Sequence, residues 1–418
     1  MKRIIFCLVL SISLLFLEGC QLRNPLSNQF SSDYLPGYDY QMNMDMSTGS
    51  GLVMAQAADG YYLTNGSHLY YMDKTKLEPV ILCNRPNCLH ELAEESQKNE
   101  CSAYYQYGIE RIYYYDEALY LPISVERDGR IVYCLRKLAK DGTFLEDIYT
   151  FPGFPQSFCI HRGYAYYAYA DYGENKQSQG GDVASAYRVM QISLQDKSER
   201  LIYTNDLAHP GIFWISAKGK NLYFYNNGYV GDPSKGANPA DRVLQYVCYD
   251  LQNNTFTVTD MNPADGEAGK PAILDDTITY CKYNYSYTDP RNRDLYQRSL
   301  NGENEKKVFT IEPTGCTIQW DGTYYYVDNY VIILGQPENA SLLRQIWVYD
   351  KDFNLINTID FSNVDGEDLS QSAMSPIFIS DDFIFTSKNA EERVISSFIY
   401  IDKSELASGK VSPHKVTF

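Results

Sequence analysis

Residues 60–73 read GYYLTNGSHLYYMD, in which a polar turn separates two short runs of aromatic and aliphatic residues. Aromatic residues favour β-strands, and Asn-Gly-Ser is typical of turns. The first run, Gly60-Tyr61-Tyr62-Leu63, has six counterparts, at residues 118–121, 164–167, 222–225, 277–280, 323–326 and 383–386. Successive copies lie between 46 and 60 residues apart, which leaves room for four short strands per repeat.

The second run, Tyr70-Tyr71-Met72-Asp73, also recurs, at residues 247–250, 347–350 and 399–402, and each copy ends in an aspartate. An aspartate there can accept hydrogen bonds from the backbone ahead of it, so each copy predicts a strand that runs into a turn. Seven such units predict an all-β fold, a β-propeller of seven four-stranded blades, with six or eight blades as alternatives. A sandwich would not need the same theme seven times, and a β-helix would repeat at a shorter period.

The composition of the 418-residue chain argues against one class of partner. It carries 53 acidic residues against 36 Lys plus Arg, a formal net charge of −17. Nucleic-acid-binding surfaces need a basic footprint, so we expect no nucleic-acid partner. The chain also has 39 tyrosines. Tyrosine can stack on sugar rings or anchor an interface, but we expect most of these side chains to pack between blades.

The N-terminal residues MKRIIFCLVLSISLLFLEGC have the features of a secretory signal. Lys2 and Arg3 precede an apolar stretch that is too short for an ordinary spanning helix. The stretch ends in Leu17-Glu18-Gly19-Cys20, which resembles the bacterial lipobox. The resemblance implies a signal peptide at 1–19 and a Cys20 that carries acyl chains such as palmitate, which anchor the protein to the membrane. An uncleaved membrane anchor is the alternative.

Polar sequence follows the lipobox. Residues 20–51, which begin at the lipidated residue, are rich in Asn, Gln, Ser, Asp and Gly and predict a flexible tether. The propeller domain is expected at 52–418. Either interpretation of the N-terminus places it on the extracytoplasmic side of the cell membrane, or at the outer membrane or in the periplasm of a Gram-negative cell. The polar, Gly-rich stretches 172–184 and 229–241 predict long loops on one face, where propellers usually carry specificity.

Three cysteines and one histidine are clustered in Cys83-Asn84-Arg85-Pro86-Asn87-Cys88-Leu89-His90 and Cys101, with the spacing C-x4-C-x-H-x10-C. Three thiolates and one imidazole form a complete tetrahedral ligand set for Zn(II). A filled site of this kind is closed and structural, and would staple an insertion at about 83–101 after the first blade. A disulfide, most simply Cys88–Cys101 or Cys83–Cys101, would do similar work in an oxidising compartment. A redox or iron site is the third interpretation.

The repeat pattern resembles bacterial extracytoplasmic propellers with TolB-type and quinoprotein-type repeats. It resembles more closely a group of poorly characterised propeller lipoproteins from Gram-positive anaerobes, over residues 1–20 and about 52–411. The most specific shared element is the segment LCNRPNCLHE followed by CSAYY. The resemblance implies a lipid-anchored propeller and assigns no role to the cysteine segment.

The sequence contains no G-x-S-x-G elbow, P-loop or H-E-x-x-H motif. We therefore expect a binding module for a glycan, peptide or protein partner, with a structural envelope lipoprotein as the second interpretation. A carbohydrate-active enzyme with carboxylates at the propeller channel is the third, and no catalytic residue is identified. The acidic turn 363–368 is expected to be a solvated turn rather than a Ca(II) site. The four remaining histidines are expected to be surface or hydrogen-bonded residues: His68, His161, His209 and His414.

Overall fold

The computed structural model describes residues 53–90, 100–173, 184–231, 241–261, 267–268, 272–274, 277–283, 293–311, 317–328, 345–369, 374–388 and 396–418. These residues form seven large antiparallel sheets, which have four strands each except for one with five, and one separate two-stranded hairpin. Each sheet consists of consecutive strands, and the seven sheets are the blades of a ring. The prediction of an all-β, seven-bladed propeller is therefore confirmed.

Blades 1 to 4 contain sixteen strands, four per blade in chain order. Their bounds are β1 Val53–Gln56, β2 Gly60–Thr64, β3 Leu69–Asp73, β4 Pro79–Ile81, β5 Tyr113–Tyr115, β6 Ala118–Arg127, β7 Arg130–Ala139, β8 Phe144–Phe151, β9 Ser157–His161, β10 Tyr164–Asp171, β11 Ala186–Ser193, β12 Glu199–Asn205, β13 Ala208–Lys218, β14 Asn221–Tyr229, β15 Arg242–Asp250 and β16 Thr255–Met261.

Blades 5 to 7 contain the remaining strands and one short helix. Blade 5 is β17 Glu267–Ala268, β18 Ala272–Leu274, β19 Thr277–Tyr283, β20 Arg293–Ser299 and β21 Lys306–Ile311. Blade 6 is β22 Thr317–Trp320, β23 Tyr325–Asp328, β24 Gln345–Tyr349 and β25 Leu355–Asp360, and the hairpin β26 Asn363–Val364 with β27 Glu367–Asp368 follows it. Blade 7 is β28 Met374–Ile379, β29 Phe383–Lys388, β30 Ser397–Asp402, the 3₁₀ helix Lys403–Ser408 and β31 His414–Thr417.

The first strands of the blades surround the axis of the ring. Neighbouring first strands contact one another: β1 contacts β5 and β28, β5 contacts β9, β9 contacts β13, and β18 contacts β22. Because strands are antiparallel and run in order from the axis outward, two kinds of connection share one face. These are the turns between the second and third strands and the links from one blade to the next. We call this the connection face.

The aromatic runs that predicted the fold belong to the second strand of each blade. Residues 60–63 lie in β2, 118–121 in β6, 164–167 in β10, 222–225 in β14, 277–280 in β19 and 383–386 in β29. The run at 323–326 is the one partial match, since β23 begins at Tyr325. Every residue of β2 is buried, because a second strand is covered by a neighbouring blade on each of its two faces.

The tyrosine excess is explained in large part by this packing. Several of the largest fully buried side chains are tyrosines on second strands: Tyr61, Tyr166, Tyr167, Tyr280, Tyr325 and Tyr326. Burial raises the pKa of Tyr120 to about 12, since the phenolate form would lose its solvation. These rings therefore serve as apolar core, and most tyrosines need no ligand to account for them.

The predicted aspartate turns are confirmed by hydrogen bonds. Each aspartate accepts from the amide two residues ahead of it: Asp73 from Thr75 at 2.8 Å, Asp250 from Gln252 at 2.9 Å, Asp350 from Asp352 at 2.9 Å and Asp402 from Ser404 at 2.8 Å. The same type of hydrogen bond occurs within the corresponding turns of the other three blades, at Asp141, Asp196 and Asn301. An Asp or Asn side chain therefore accepts from a backbone amide between the third and fourth strands of all seven blades.

The acidic turn at 363–368 forms the hairpin β26–β27. Gly366 donates its amide to Asn363 Oδ1 at 3.1 Å, and Lys415 donates its amide to Asp365 Oδ2 at 2.7 Å. The Lys415 ammonium group also pairs with Glu367 at 2.5 Å. The carboxylates thus contact blade 7, a surface ion-pair arrangement that fits the expectation of a solvated turn.

Among the described residues, blades 1 and 7 share no strand, because the four described strands of each come from one stretch of chain. The Tyr61 ring lies 5.0 Å from that of Phe385 and 6.4 Å from that of Phe378. Tyr61 Oη and Ser380 Oγ are 3.0 Å apart, and Tyr70 packs against Phe418. Contacts between side chains of the two blades, mainly ring packing, therefore hold the closure.

In the described residues no helix is long and apolar enough to cross a membrane. The signal peptide, the Cys20 anchor and the tether were predicted for residues 1–51, which lie outside the described residues. Those three interpretations stay predictions.

Candidate metal centre

The link from blade 1 to blade 2 is the long inter-blade segment, residues 82–112, of which 82–90 and 100–112 are described. It is held against the turn between β2 and β3. Leu69 donates its amide to the Ala103 carbonyl at 2.9 Å, and Tyr105 donates to the Ser67 carbonyl at 2.8 Å. At the start of the segment, the Leu82 amide donates to the Leu69 carbonyl at 2.9 Å. Both ends of the segment are therefore fixed to the same hairpin on the connection face.

These hydrogen bonds bring the four predicted ligands together. One donor atom from each of Cys83, Cys88, His90 and Cys101 lies within 4.8 Å of the other three. Cys101 Sγ is 3.8 Å from His90 Nδ1. Tetrahedral coordination at usual Zn–S and Zn–N distances separates ligand atoms by about 3.6 to 3.8 Å. The spacing of these donors therefore fits one tetrahedral ion such as Zn(II).

The backbone between the ligands turns sharply, and this turning directs the side chains inward. Asn87 and His90 have φ values of +61° and +50°, the left-handed region that asparagine and histidine tolerate better than most residues. Asn84 Nδ2 donates to Thr143 Oγ1 at 2.8 Å, which ties the turn to blade 2. The loop that carries Cys83 and Cys88 is thus anchored at both neighbouring blades.

Cys83 has a second polar partner. Ser102 Oγ lies 3.3 Å from Cys83 Sγ, to which it can donate, and it accepts from the Asn84 amide at 3.3 Å. Groups that hold a metal ligand in place commonly contribute to metal affinity. Ser102 directly follows Cys101 in the chain, so its proximity to the site is readable from sequence, whereas the contact of Asn84 with Thr143 is not.

The thiols of Cys83 and Cys101 differ strongly in acidity. Burial raises the pKa of Cys83, but hydrogen bonds from the Ser102 hydroxyl and from the Arg85 and Ser102 amides outweigh it and lower the pKa to about 6. Burial raises the pKa of Cys101 to about 12. The site thus already stabilises one thiolate, while a second negative charge deeper in the protein needs a cation beside it.

Burial places the cluster at the edge of the core. Cys101 is 4% exposed and packs with Ala103 and Leu69, whereas Cys83, Cys88 and His90 are half-buried. With all four positions taken by protein ligands, such a site leaves no open coordination position for a substrate. The arrangement is therefore suited to a structural ion. The three cysteines are not bonded to one another in the structure, and the Cys88–Cys101 and Cys83–Cys101 disulfides stay predictions beside the metal site.

The other histidines do not join this cluster. His68 is buried against Tyr104, with its ring 5.1 Å away, and its Nδ1 lies 3.1 Å from Ser67 Oγ. His161 is also buried, with Nε2 2.6 Å from the Gly219 carbonyl. Both are hydrogen-bonded, as predicted, but neither is a surface residue, because each lies at a strand end that a neighbouring segment covers.

Comparisons with known proteins define the fold and leave the family open. No protein-family model matches the chain, and no curated protein matches it. Among solved structures, a complex of KlAtg21 with the coiled-coil of AgAtg16 matches with a TM-score of 0.52 and 8% identity, over 88% of this chain and 98% of that one. At that identity the match shows a shared fold alone.

Two further solved structures have lower scores. An oligogalacturonate lyase from Vibrio parahaemolyticus matches with a TM-score of 0.46 and 11% identity, over 91% of this chain and 90% of that one. The β-propeller domain of the trilobed protease from Pyrococcus furiosus matches with a TM-score of 0.45 and 12% identity, over 71% and 81%. That protease domain has an open velcro topology.

Proposed function

We propose that this chain is an extracytoplasmic, lipid-anchored β-propeller that acts as a binding module and carries a structural Zn(II) site. One observation carries the proposal: four soft or borderline ligands lie within 4.8 Å of one another in a long segment on the connection face. Zinc would link Cys83, Cys88 and His90 to Cys101 and so fix that segment. The likeness of the N-terminus and the cysteine segment to propeller lipoproteins supports the anchor.

An inter-blade segment that is held in place by zinc would suit a binding module. Loops on a rigid scaffold usually carry recognition, and a loop that is already ordered loses less entropy when a partner binds. The strand ends joined by the long stretches 174–183, 232–240 and 329–344 also lie on the connection face. This face is therefore the one on which we place partner binding.

The metal proposal is tested by loading purified residues 21–418 with Co(II) and recording the absorption spectrum. Tetrahedral coordination by three thiolates and one imidazole predicts intense visible bands and a thiolate charge-transfer band, and added Zn(II) should abolish both. His90→Ala should change the visible bands, whereas His68→Ala, a buried histidine outside the cluster, should leave them unchanged. A spectrum of octahedral Co(II) would contradict the assignment.

The anchor is tested separately in cells that produce the full chain. Wild-type protein should fractionate with membranes, and Cys20→Ala should release it or leave an unprocessed precursor. A matched control is Cys7→Ala, since Cys7 lies inside the predicted signal. Membrane retention of Cys20→Ala at the same mass as wild type would favour the uncleaved anchor instead.

An enzyme remains the weaker alternative, and the first strands argue against the channel version of it. Among the described first strands, which surround the axis, only β17 contains a carboxylate residue, Glu267. A glycosidase-type mechanism requires two carboxyl groups on opposite sides of the scissile bond. A purely structural envelope role is the other alternative.

A further inference from the structure

The outer edge of blade 4 is strand β16, Thr255–Met261, which pairs only with β15 among the described residues. Its sequence is Thr-Phe-Thr-Val-Thr-Asp-Met, and the first five residues are uncharged and of types that favour strands. Residues 255–258 are all exposed, with Phe256 at 41% and Val258 at 43%. A row of backbone N–H and C=O groups therefore faces solvent beside two apolar side chains.

The outer strands of the other six blades have features that hinder pairing with a further strand. Strands β4 and β31 have only three and four residues. Strand β25 contacts the 3₁₀ helix of blade 7, where Asn357 Nδ2 donates to the Leu406 carbonyl at 3.1 Å. Strands β8, β12 and β21 carry charged residues, which are Glu146, Asp147, Glu199, Arg200, Lys306 and Lys307. Among the described outer strands, β16 alone combines length, exposure and an uncharged run of five residues.

The run Thr-Phe-Thr-Val-Thr is nearly palindromic around Thr257. If two copies of β16 pair antiparallel about that residue, Phe256 of each copy lies opposite Val258 of the other. Thr255 then lies opposite Thr259, and the two Thr257 residues face each other. Aromatic and β-branched residues are favourable partners across strands, and the two-fold axis of this register is the symmetry of most soluble dimers.

The same register brings opposite charges together at both of its ends. One residue further along, Asp260 of one copy lies opposite Asn254 of the other. The Arg200 guanidinium donates to Asn254 Oδ1 at 2.9 Å, and its other hydrogen bonds also go to neutral side chains. Asp260 accepts from the neutral amide of Gln245 at 2.8 Å. Two reciprocal pairs of Arg200 with Asp260 would therefore flank the apolar contacts, each joining a charge that has neutral partners within its own copy.

We propose that two copies of this chain form a dimer by antiparallel pairing of their β16 strands, with the two-fold axis at Thr257. The two blade-4 sheets then become one continuous sheet, and the backbone groups of both edges gain partners. Because the contact lies at the rim of the ring, both connection faces stay open. This inference goes beyond the proposed function, and neither depends on the other.

A second copy fits this edge better than a strand of an unrelated protein. Any strand could complete the backbone ladder, whereas a copy of β16 also brings the pairs of Phe256 with Val258 and of Arg200 with Asp260. The formal net charge of −17 makes two copies repel each other at long range. Salt at physiological concentration screens charges that lie more than about 8 Å apart, so the groups at the contact decide the outcome.

Sedimentation equilibrium of residues 21–418 in physiological salt tests the dimer. We expect a Kd in the micromolar range, because a single pair of edge strands is smaller than a standard interface. Thr257→Lys places two ammonium groups opposite each other and should leave a folded monomer. Leu355→Lys adds the same charge at a 54% exposed position on β25 and should leave the dimer intact. A wild-type monomer up to about 100 μM, or a dimer that Thr257→Lys does not disrupt, would overturn the proposal.

Charge reversal tests the ends of the interface. Asp260→Lys places a cation beside Arg200 of the other copy and should weaken the dimer by about tenfold or more. Combining it with Arg200→Glu restores both pairs with their signs exchanged and should recover most of the affinity, which a loss of fold would not do. Circular dichroism confirms that each variant is folded. A folded double variant that stays as weak as Asp260→Lys would overturn the register.

Cross-linking tests the position of the two-fold axis. Thr257→Cys places two thiols opposite each other, so oxidation should link a large fraction of the chains into dimers, relative to wild type as the baseline. Thr255→Cys is the matched control, because it lies two residues away on the same face but opposite Thr259, and should link no more than wild type does. Equal linkage in the two variants would contradict an axis at Thr257.

Discussion

Blade 1 meets its two neighbours in different ways. At the junction with blade 7, second-strand and third-strand side chains of both blades pack directly, and the core contains Tyr61, Leu63, Phe385 and Phe398. At the junction with blade 2, the core is shared with the inter-blade segment, which contributes Cys101 and the residues that follow it. Two junctions with the same blade architecture are therefore stabilised by different chemistry.

The difference follows from the lengths of the strands involved. Strands β4 and β5, which flank the inter-blade segment, have only three residues each. Strands this short provide little apolar surface, so the segment supplies Ala103, Ile109 and Ile112 to the core in their place. The described parts of the segment, 82–90 and 100–112, contain almost no regular structure, and a metal ion would replace the backbone ladder that they lack.

The largest expected effect is on the junction between blades 1 and 7, which depends mainly on ring packing. Tyr61→Ala removes a fully buried ring that contacts three aromatic residues of blade 7, and should lower the free energy of unfolding by about 3 to 5 kcal/mol. Tyr61→Phe, the matched control, loses only the contact with Ser380 and should cost about 1 kcal/mol. Urea unfolding measures both, and similar losses in the two variants would contradict a closure by ring packing.

Metal removal should lower the stability of the junction between blades 1 and 2. At a free zinc concentration of 100 to 1,000 times Kd, bound metal adds about 3 to 4 kcal/mol to the stability of the native state. A chelator should therefore lower the melting temperature of wild type and of Tyr61→Phe, but not that of Cys101→Ser. Cys159→Ser, a half-buried cysteine on β9, is the control and should stay sensitive to the chelator. A melting temperature that no chelator changes would mean that the segment is ordered without a metal.

A smaller effect is expected on zinc affinity, and it tests whether Ser102 supports the metal centre. Ser102→Ala removes the hydroxyl that lies 3.3 Å from Cys83 Sγ but leaves all four ligands in place. Zinc affinity should fall roughly tenfold, since partners of this kind usually contribute 10- to 100-fold. Competition with a chromophoric chelator gives the affinity, and Ser67→Ala near His68 serves as the control. An affinity equal to that of wild type would show that the hydroxyl does not support the ligand.

The smallest effect concerns the ion pair at the packed junction. Lys74 and Asp382 join blades 1 and 7 at 3.2 Å, but both side chains are more than one-third exposed. Solvent and salt screen such pairs, so Asp382→Asn should change the unfolding free energy by less than about 0.5 kcal/mol. A loss comparable with that of Tyr61→Ala would mean that charge, rather than ring packing, closes the ring.

The sequence was sufficient to predict the blades because each blade repeats the same local pattern of residues. An aromatic second strand such as 60–63 and an aspartate turn such as the one at Asp73 recur at a regular interval, and local pattern alone locates them. The pattern does not show that β2 is buried on both faces. That double burial depends on the neighbouring blades and does not appear in the pattern of a single strand.

The ligands of the candidate metal site could be predicted from the sequence, but the contacts that hold the site against other blades could not. Cys83, Cys88, His90 and Cys101 lie within nineteen residues, so their proximity follows from the chain itself. The tie from Asn84 to Thr143 joins residues 59 positions apart. Contacts of this kind depend on how the blades are placed around the ring, which the sequence pattern does not specify.

The most direct test of a metal ion at the junction of blades 1 and 2 is the metal content of residues 21–418. The protein is purified without chelator, its metals are measured by elemental mass spectrometry, and its thiols are counted in parallel. The account predicts about one zinc per chain, which is lost in Cys83→Ser and in His90→Ala and retained in His68→Ala. Iron in place of zinc would contradict the structural assignment and favour a redox site. No metal, together with two fewer titratable thiols than the sequence provides, would show that a disulfide holds the segment instead.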